Sequence, residues 1–252
     1  MKLLTMSNPK TAKGESLGFL SFILHLAPGT LSGFQTCPGA SAGCLASCLN
    51  TSGRGRFTRT QDARIAKTRR FFLDRTAFIN QLCKDIQSAE RKARRLGLTP
   101  VFRLNGTSDI RWETIPVHTV VTSKGHGTAY NANNIFEAFP HLTFYDYTKL
   151  PNRRNIPANY YLTFSRSEEN GDAVSEMLSR GFNVAALFDS LPETFLGFPV
   201  IDGTQHDLRF LDPKGVIVGL VPKGKAKTDS TGFVISLQRA RRLETLSHAL
   251  AS

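Results

Sequence analysis

Aspartates follow several short apolar runs between residues 101 and 202. Asp109 lies shortly after the run 101–104, while Asp146, Asp189 and Asp202 directly follow runs that end at residues 145, 188 and 201. In parallel α/β folds the carboxyl ends of the strands meet at one edge of the sheet, where active sites form. Carboxylates gathered there can supply a nucleophile and a proton-transfer group. The alternative is that each carboxylate caps the turn or helix that follows it, which suits Asp189 best.

Three cysteines lie close together in the first fifth of the chain. Cys37, Cys44 and Cys48 form a C-x6-C-x3-C pattern. Three thiolates need a fourth ligand to complete a tetrahedral zinc site. The candidates for the fourth ligand are Cys83, His25 and His206. We expect zinc, with a structural role if four protein ligands hold it; a [4Fe–4S] cluster on the three cysteines and ordinary buried thiols are the alternatives.

Positive charge is concentrated in two segments. Residues 54–95 contain 13 Lys and Arg against four acidic residues, and residues 223–242 contain six against one. Such clusters are typical of a surface that binds a polyanion, because phosphate contacts release counterions. A basic, solvated surface without a partner is the alternative. The residues that we expect to contact DNA are Arg64, Arg69, Arg70, Arg94, Arg95, Lys223 and Lys225.

A mixed pattern of strands and helices has to position these residues. Gly, Ser and Thr around the cysteines predict a loop-dominated subregion over 30–60, and residues 61–97 predict a basic amphipathic helix that ends at Gly97. Short continuous apolar runs predict strands covered on both faces, as in parallel sheets. The runs are 19–26, 101–104, 142–147, 160–164, 184–188, 198–201 and 216–221, and a short helix covers 174–178. We expect a single α/β domain over 1–252: a (β/α) barrel or partial barrel with an N-terminal Cys-containing metal-binding subregion.

Length and composition exclude several classes of protein. With 252 residues, 40% hydrophobic content and 18 Phe, the chain has enough apolar material for a packed core. The longest apolar window, 17–27, is too short to cross a membrane and contains Ser21 and His25. A lipoprotein-like box at 45–48 lacks the apolar segment that a signal peptide needs before it. We therefore expect a cytoplasmic protein with reduced cysteines and no membrane partner.

Four sequence segments resemble a family of small bacteriophage proteins. They are 103–113 (RLNGTSDIRWE), 144–149 (FYDYTK), 200–203 (VIDG) with 207–210 (DLRF), and 218–220 (VGL) followed by 223–225 (KGK). Some members of this group are linked to the phage DNA 7-deazaguanine transglycosylases, which are distant relatives of tRNA-guanine transglycosylase. The resemblance spans about residues 37–233. The tRNA enzymes bind zinc through a C-x-C-x2-C motif that this sequence lacks.

The resemblance implies an enzyme that replaces guanine in DNA with a 7-deazaguanine base, in the host cell cytoplasm if a phage encodes it. Retaining displacement at a glycosidic carbon needs a carboxylate nucleophile and a second group that exchanges a proton with the base. Asp202 or Asp207 resembles the nucleophile, and Asp109 would be the acid/base group. Asp146 would accept hydrogen bonds from the guanine. The other residues expected to bind substrate are Asn105, Ser108, Tyr145, Ser165 and Arg209.

Two other functions fit parts of the sequence. An iron–sulfur barrel enzyme of the radical type would use the clustered cysteines. A non-catalytic, zinc-stabilised nucleic-acid-binding protein would need the basic clusters but no convergent acids, so the strand-end aspartates favour an enzyme. Aromatic residues near strand ends would either stack on an extruded base or pack in the core. They are Trp112, Tyr145, Tyr147, Tyr160 and Tyr161.

Overall fold

The computed structural model describes residues 2–6, 13–123 and 126–251. The chain has a mixed α/β structure with a mostly parallel central sheet, as the continuous apolar runs predict. It divides into two compact units. Unit 1 contains Met1–Pro38, Phe57–Asp146 and Asn152–Tyr161, and unit 2 contains Gly39–Arg56, Tyr147–Pro151 and Leu162–Ser252.

The strands and helices are numbered in chain order. The strands are β1 (Leu4–Thr5), β2 (Phe19–Leu24), β3 (Thr99–Arg103), β4 (Val117–Ser123), β5 (His126–Ala132), β6 (Thr143–Thr148), β7 (Tyr160–Ser165), β8 (Val184–Phe188), β9 (Thr194–Phe195), β10 (Phe198–Asp202), β11 (Ile217–Leu220) and β12 (Val234–Ile235). The helices are α1 (Ala42–Ala46), α2 (Thr58–Leu73), α3 (Arg75–Arg95), α4 (Ile135–Ala138), α5 (Gly171–Ser179) and α6 (Leu237–Ala251). Each apolar run that predicts a strand coincides with one, whose ends lie within two residues of the predicted ends.

Unit 1 places β3 between β2 and β6, with parallel pairing on both sides, and β1 runs antiparallel to β2. The phenylalanines of neighbouring strands stack across the sheet: Phe22 lies 5.5 Å from Phe102, and Phe102 lies 5.4 Å from Phe144. These are centroid distances at which aromatic pairs attract. β4 and β5 form a separate antiparallel hairpin.

The basic segment 61–97 forms two helices where the sequence predicts one. Asp74 interrupts the helical path with φ −142° and ψ 67°, and its side chain accepts a hydrogen bond from the backbone N–H of Ala77 at 3.2 Å. Asp74 therefore ends α2 and caps α3, because an aspartate at this position satisfies a donor that the new helix leaves open. The second helix stops before Gly97, which has φ +66° as expected of a helix-terminating glycine.

Unit 2 has parallel strands around β8. β8 pairs with β7, β11 and β12, β11 pairs with β10, and the short β9 runs antiparallel to β10 at the edge. α5 packs its apolar face on this sheet, with Val174, Met177 and Leu178 in the core. The helix is followed by Gly181 at φ +78°, the glycine predicted to end it.

In the part of the chain that the structure describes, no helix combines the length and the apolar character needed to cross a membrane.

Candidate functional site

The turn after β3 is built around Asn105. The Asn105 Oδ1 atom accepts hydrogen bonds from the Ser108 hydroxyl at 2.9 Å, the Ile110 N–H at 2.9 Å and the Trp112 indole N–H at 3.2 Å. The Nδ2 amide donates to the Ile110 carbonyl at 2.9 Å. Asn105 and Ser108, which we expect to bind substrate, thus hold the loop that presents Asp109.

Asp109 is buried beside an arginine that the sequence analysis missed. The side chain of Arg153 is 3% exposed, and its Nη1 atom lies 3.7 Å from Asp109 Oδ1. Arg153 also donates hydrogen bonds to the Glu113 carboxylate from two nitrogens, Nη2 and Nε, the latter at 2.9 Å. Burial opposes the charge of Arg153, but Tyr160, Glu113 and Asp109 hold its pKa above the usual value. No spacing pattern marks Arg153, although Glu113 lies in a segment that carries the family resemblance.

Asp146 is completely buried at the end of β6. Its oxygens accept hydrogen bonds from the backbone N–H groups of Leu104 at 3.2 Å and Asn105 at 2.9 Å, and from the Tyr160 hydroxyl at 3.1 Å. Burial raises the pKa of Asp146 to about 7, although Arg103, 3.6 Å away, and these donors lower it. Tyr160 also contacts Arg153 at 3.4 Å, so Asp109 and Asp146 belong to one buried network in unit 1.

Tyr145 lies outside this network. It is buried, and its hydroxyl donates to Ser21 Oγ on β2 at 3.3 Å. Because successive side chains of a strand point to opposite faces, Tyr145 and Asp146 serve different sides of the sheet.

In unit 2, Asp202 at the end of β10 and Asp207 in the loop after it have different partners. Asp202 accepts hydrogen bonds from the N–H of Thr204 and the side-chain amide of Gln205, both at 2.8 Å, so both of its oxygens hold its own turn. Asp207 is 7% exposed, and its Oδ1 atom accepts a hydrogen bond from the Tyr147 hydroxyl at 3.3 Å. A side chain from the end of β6 therefore orients Asp207.

A lysine–serine pair also lies at strand ends in unit 2. Lys149 Nζ donates to Ser165 Oγ at 2.6 Å and lies 5.4 Å from the centre of the Phe233 ring. Lys149 follows Tyr147 by two residues, and Ser165 ends β7. Three strand ends, those of β6, β7 and β10, thus contribute polar side chains within this unit.

Arg209, a predicted substrate-binding residue, is buried and engaged locally. Its Nη1 atom lies 3.2 Å from Asp212 Oδ2, and its Nη2 atom donates to the His206 carbonyl at 2.6 Å. The carboxylate of Asp189 accepts from the N–H of Leu237 at 2.9 Å, where α6 begins. Asp189 therefore contacts the start of a distant helix, whereas the sequence predicts that it caps the turn that directly follows it.

The cysteines are all free thiols. Cys37 belongs to unit 1 and contacts the Gly29 N–H and the Thr107 carbonyl through sulfur, while Cys48, in unit 2, accepts from the Asn50 N–H at 3.5 Å. Cys83 is fully buried in α3, and burial raises the pKa of its thiol to about 12. Within the described ranges, no group of three or more His, Cys, Asp or Glu side chains is placed to hold a metal ion.

The predicted DNA-contacting residues differ in exposure. In unit 1, Arg94 and Arg95 are exposed, whereas Arg64 and Arg70 are half-buried and Arg70 donates to the Ala77 carbonyl at 3.3 Å. Arg69 is exposed, but its Nε atom donates to the Ser32 carbonyl at 3.2 Å. Lys223 and Lys225 of unit 2 are both exposed.

Fold and site together define a mixed α/β protein with polar and acidic side chains at the carboxyl ends of its parallel strands. A family model described as Gene product 88 matches residues 2–237. This match covers most of the chain, and the protein belongs to the Gene product 88 family. No curated protein and no solved structure shows a significant match.

Proposed function

We propose that the protein is a DNA-modifying enzyme that exchanges guanine for a 7-deazaguanine base, with Asp207 as the nucleophile. The observation that carries this proposal is the polar group in unit 2. A buried carboxylate is oriented by the Tyr147 hydroxyl, and a close Lys149–Ser165 pair lies at neighbouring strand ends. Asp207 is favoured over Asp202 because a side chain from β6 orients it, whereas Asp202 accepts hydrogen bonds from residues of its own turn.

The reaction is a double displacement at one carbon. A carboxylate oxygen of Asp207 forms a bond to C1′ of the deoxyribose while the bond from C1′ to guanine N9 breaks, and the departing base takes up a proton. The 7-deazaguanine then attacks C1′, loses its N9 proton, and releases Asp207. Tyr147 orients the carboxylate. Asp109 remains the predicted acid/base group, and its test is Asp109→Asn.

The experiment incubates the full chain with duplex or single-stranded DNA and candidate 7-deazaguanine bases, then digests the DNA and measures deazaguanosine nucleosides by mass spectrometry. We expect incorporation by the wild type and a loss of at least about 100-fold in Asp207→Asn, because removing a nucleophile or acid/base group costs this much or more. Asp172→Asn, an exposed change in the first turn of α5, is the matched control. Equal incorporation by Asp207→Asn and wild type would remove Asp207 from the mechanism.

A non-catalytic DNA-binding protein is the second candidate. It is favoured by the number of strand-end acids with structural partners: Asp109 faces Arg153, Asp146 accepts backbone N–H groups, and Asp202 holds its own turn. This function predicts tight DNA binding by the wild type and no incorporation with any deazaguanine base. The same incubation therefore separates the two candidates.

The barrel and the metal site that the sequence predicts are proposed separately, because the exchange reaction does not depend on either of them. A (β/α) barrel or partial barrel remains the arrangement that we propose for the parallel strands, and an experimental structure would test it. Zinc or a [4Fe–4S] cluster on Cys37, Cys44 and Cys48 is tested by metal analysis and by absorbance of the purified protein, since an iron–sulfur cluster is coloured and zinc is not. No step of the exchange is assigned to a metal.

A further inference from the structure

Two loops of unit 2 are packed against each other. The 3-10 turns Leu49–Thr51 and Gly224–Thr228 are in contact. Gly224 has φ +55°, and a Cβ atom there would lie 2.7 Å from the Cβ of Ser52. Only glycine combines this backbone conformation with such a close approach. The two loops therefore form one continuous surface, although about 170 residues separate them in the sequence.

This surface carries a dense positive charge. The first loop contributes Arg54 and Arg56, and the second contributes Lys223, Lys225 and Lys227, all of them exposed. Residues 39–56 and 213–228 contain no Asp or Glu at all. Among the residues that the structure describes, the three lysines form no ion pair, so their ammonium groups are available to a partner.

Apolar side chains are exposed on the first of these loops. Leu49 is 50% exposed and lies in the 3-10 turn that touches the lysine loop, and Leu45 is 45% exposed one turn earlier. Proteins that hold DNA and unstack its bases combine cations on the phosphates with apolar side chains against base steps. Base exchange in duplex DNA requires the nucleotide to leave the stack.

We propose that this surface, formed by residues 49–56 and 223–227, is where the protein docks DNA, with the five cations on the phosphate backbone and Leu49 against the sugars or bases. The proposal rests on the proposed function for the choice of DNA as the polyanion. It adds Arg54, Arg56 and Lys227 to the expected contacts, and it assigns an apolar contact to Leu49. Each phosphate contact on duplex DNA contributes about 0.9 to the slope of log affinity against log salt.

The test measures binding of fluorescent duplex and single-stranded DNA to the full chain over a range of salt concentrations. The triple variant Lys223→Gln/Lys225→Gln/Lys227→Gln should lose roughly 100-fold or more in affinity at physiological salt and lower the salt slope by about 3. The matched control, Lys2→Gln/Arg154→Gln/Arg180→Gln, removes the same charge from exposed positions outside both basic clusters and should change affinity by less than about 3-fold. Leu49→Ser should weaken binding and leave the salt slope unchanged, since it removes no phosphate contact.

Equal losses in the triple variant and its control would overturn the proposal, because net charge alone would then explain binding. A second arm uses vesicles with and without phosphatidylserine. If the lysine variant loses vesicle binding and keeps DNA binding, the surface docks a lipid membrane and the proposal is wrong. DNA binding that depends on the three lysines, without base exchange by the wild type, would reject the proposed enzyme and retain this surface.

Discussion

The acids of unit 1 and unit 2 follow similar strand ends but have different surroundings. In unit 1, Asp109 and Asp146 are tied to Arg153, Tyr160 and backbone N–H groups in a buried network. In unit 2, Asp207 accepts a hydrogen bond from the Tyr147 hydroxyl, and Lys149 donates to Ser165. Removal of one partner from the buried ion pair of unit 1 leaves the other charge buried and uncompensated, whereas a hydrogen bond from a neutral hydroxyl holds a carboxylate in one orientation. The position of an acid after a strand does not distinguish these cases, but its partners do.

The largest expected effect on stability is in the unit 1 network. Arg153→Met leaves Glu113 and Asp109 buried without their cation and should lower the free energy of unfolding by about 3–5 kcal/mol, measured by urea denaturation. Arg180→Met is the control, because it removes an exposed pair with Glu176 at i,i+4 and should cost less than about 0.5 kcal/mol. Adding Glu113→Gln to Arg153→Met should recover part of the loss. A loss below about 1 kcal/mol in Arg153→Met would contradict the structural role of the network.

The free energy of unfolding should depend on pH through Asp146. Asp146 has a pKa of about 7 in the folded protein and 3.8 as its ordinary value. Between these pH values Asp146 holds a proton in the folded state and has lost it in the unfolded state. Asp146 therefore lowers the free energy of unfolding as the pH rises from about 4 to 7. The decrease is on the order of a few kcal/mol. Asp146→Asn removes this titration, and its free energy of unfolding should fall less over the same range.

The Asp146 comparison is made on the difference between two unfolding curves, since other groups titrate in both proteins. Asp172→Asn should keep the wild-type pH dependence. Parallel curves for the wild type and Asp146→Asn would show that Asp146 is ionised throughout this range.

The smallest expected effect lies at Asp202. Asp202→Ala removes the acceptor for the Thr204 N–H and the Gln205 amide, and should cost about 1 kcal/mol of stability. Base exchange should stay within about 3-fold of the wild type, in contrast to the loss at Asp207. Loss of exchange at Asp202 with full activity at Asp207 would reverse the assignment of the two acids.

Much of the fold was accessible from the sequence. Continuous apolar runs locate the parallel strands because both faces of such strands are covered, and glycines at 97 and 181 mark helix ends. The break at Asp74 and the hairpin β4–β5 were missed. The helical spacing of apolar residues continues across Asp74. The hairpin strands VHTVVTS and HGTAYNA alternate weakly, and many of their side chains are exposed.

The candidate site was accessible only in part. Strand-end positions selected Asn105, Asp109, Asp146 and Asp207, yet the sequence does not show which side chains contact them, and the arginine beside Asp109 comes from a segment with no motif of its own. Arg153 lies in a loop after β6, and Lys149 is one of 32 basic residues. The number of basic residues likewise does not show which of them point into the protein. Lys67 in α2 is one that does: its ammonium group donates to the Leu3 carbonyl at 2.8 Å, and burial lowers its pKa.

By itself, the sequence determined the strands, the helix ends and the two basic segments, because apolar periodicity and local charge are properties of neighbouring residues. The tertiary structure decided which charges are neutralised inside the protein and which remain for a partner. That choice depends on contacts between segments up to 170 residues apart, such as the turn at Leu49 and the lysine loop at Gly224. Burial and pairing set the energy of a charge, and both are fixed only when the chain has folded.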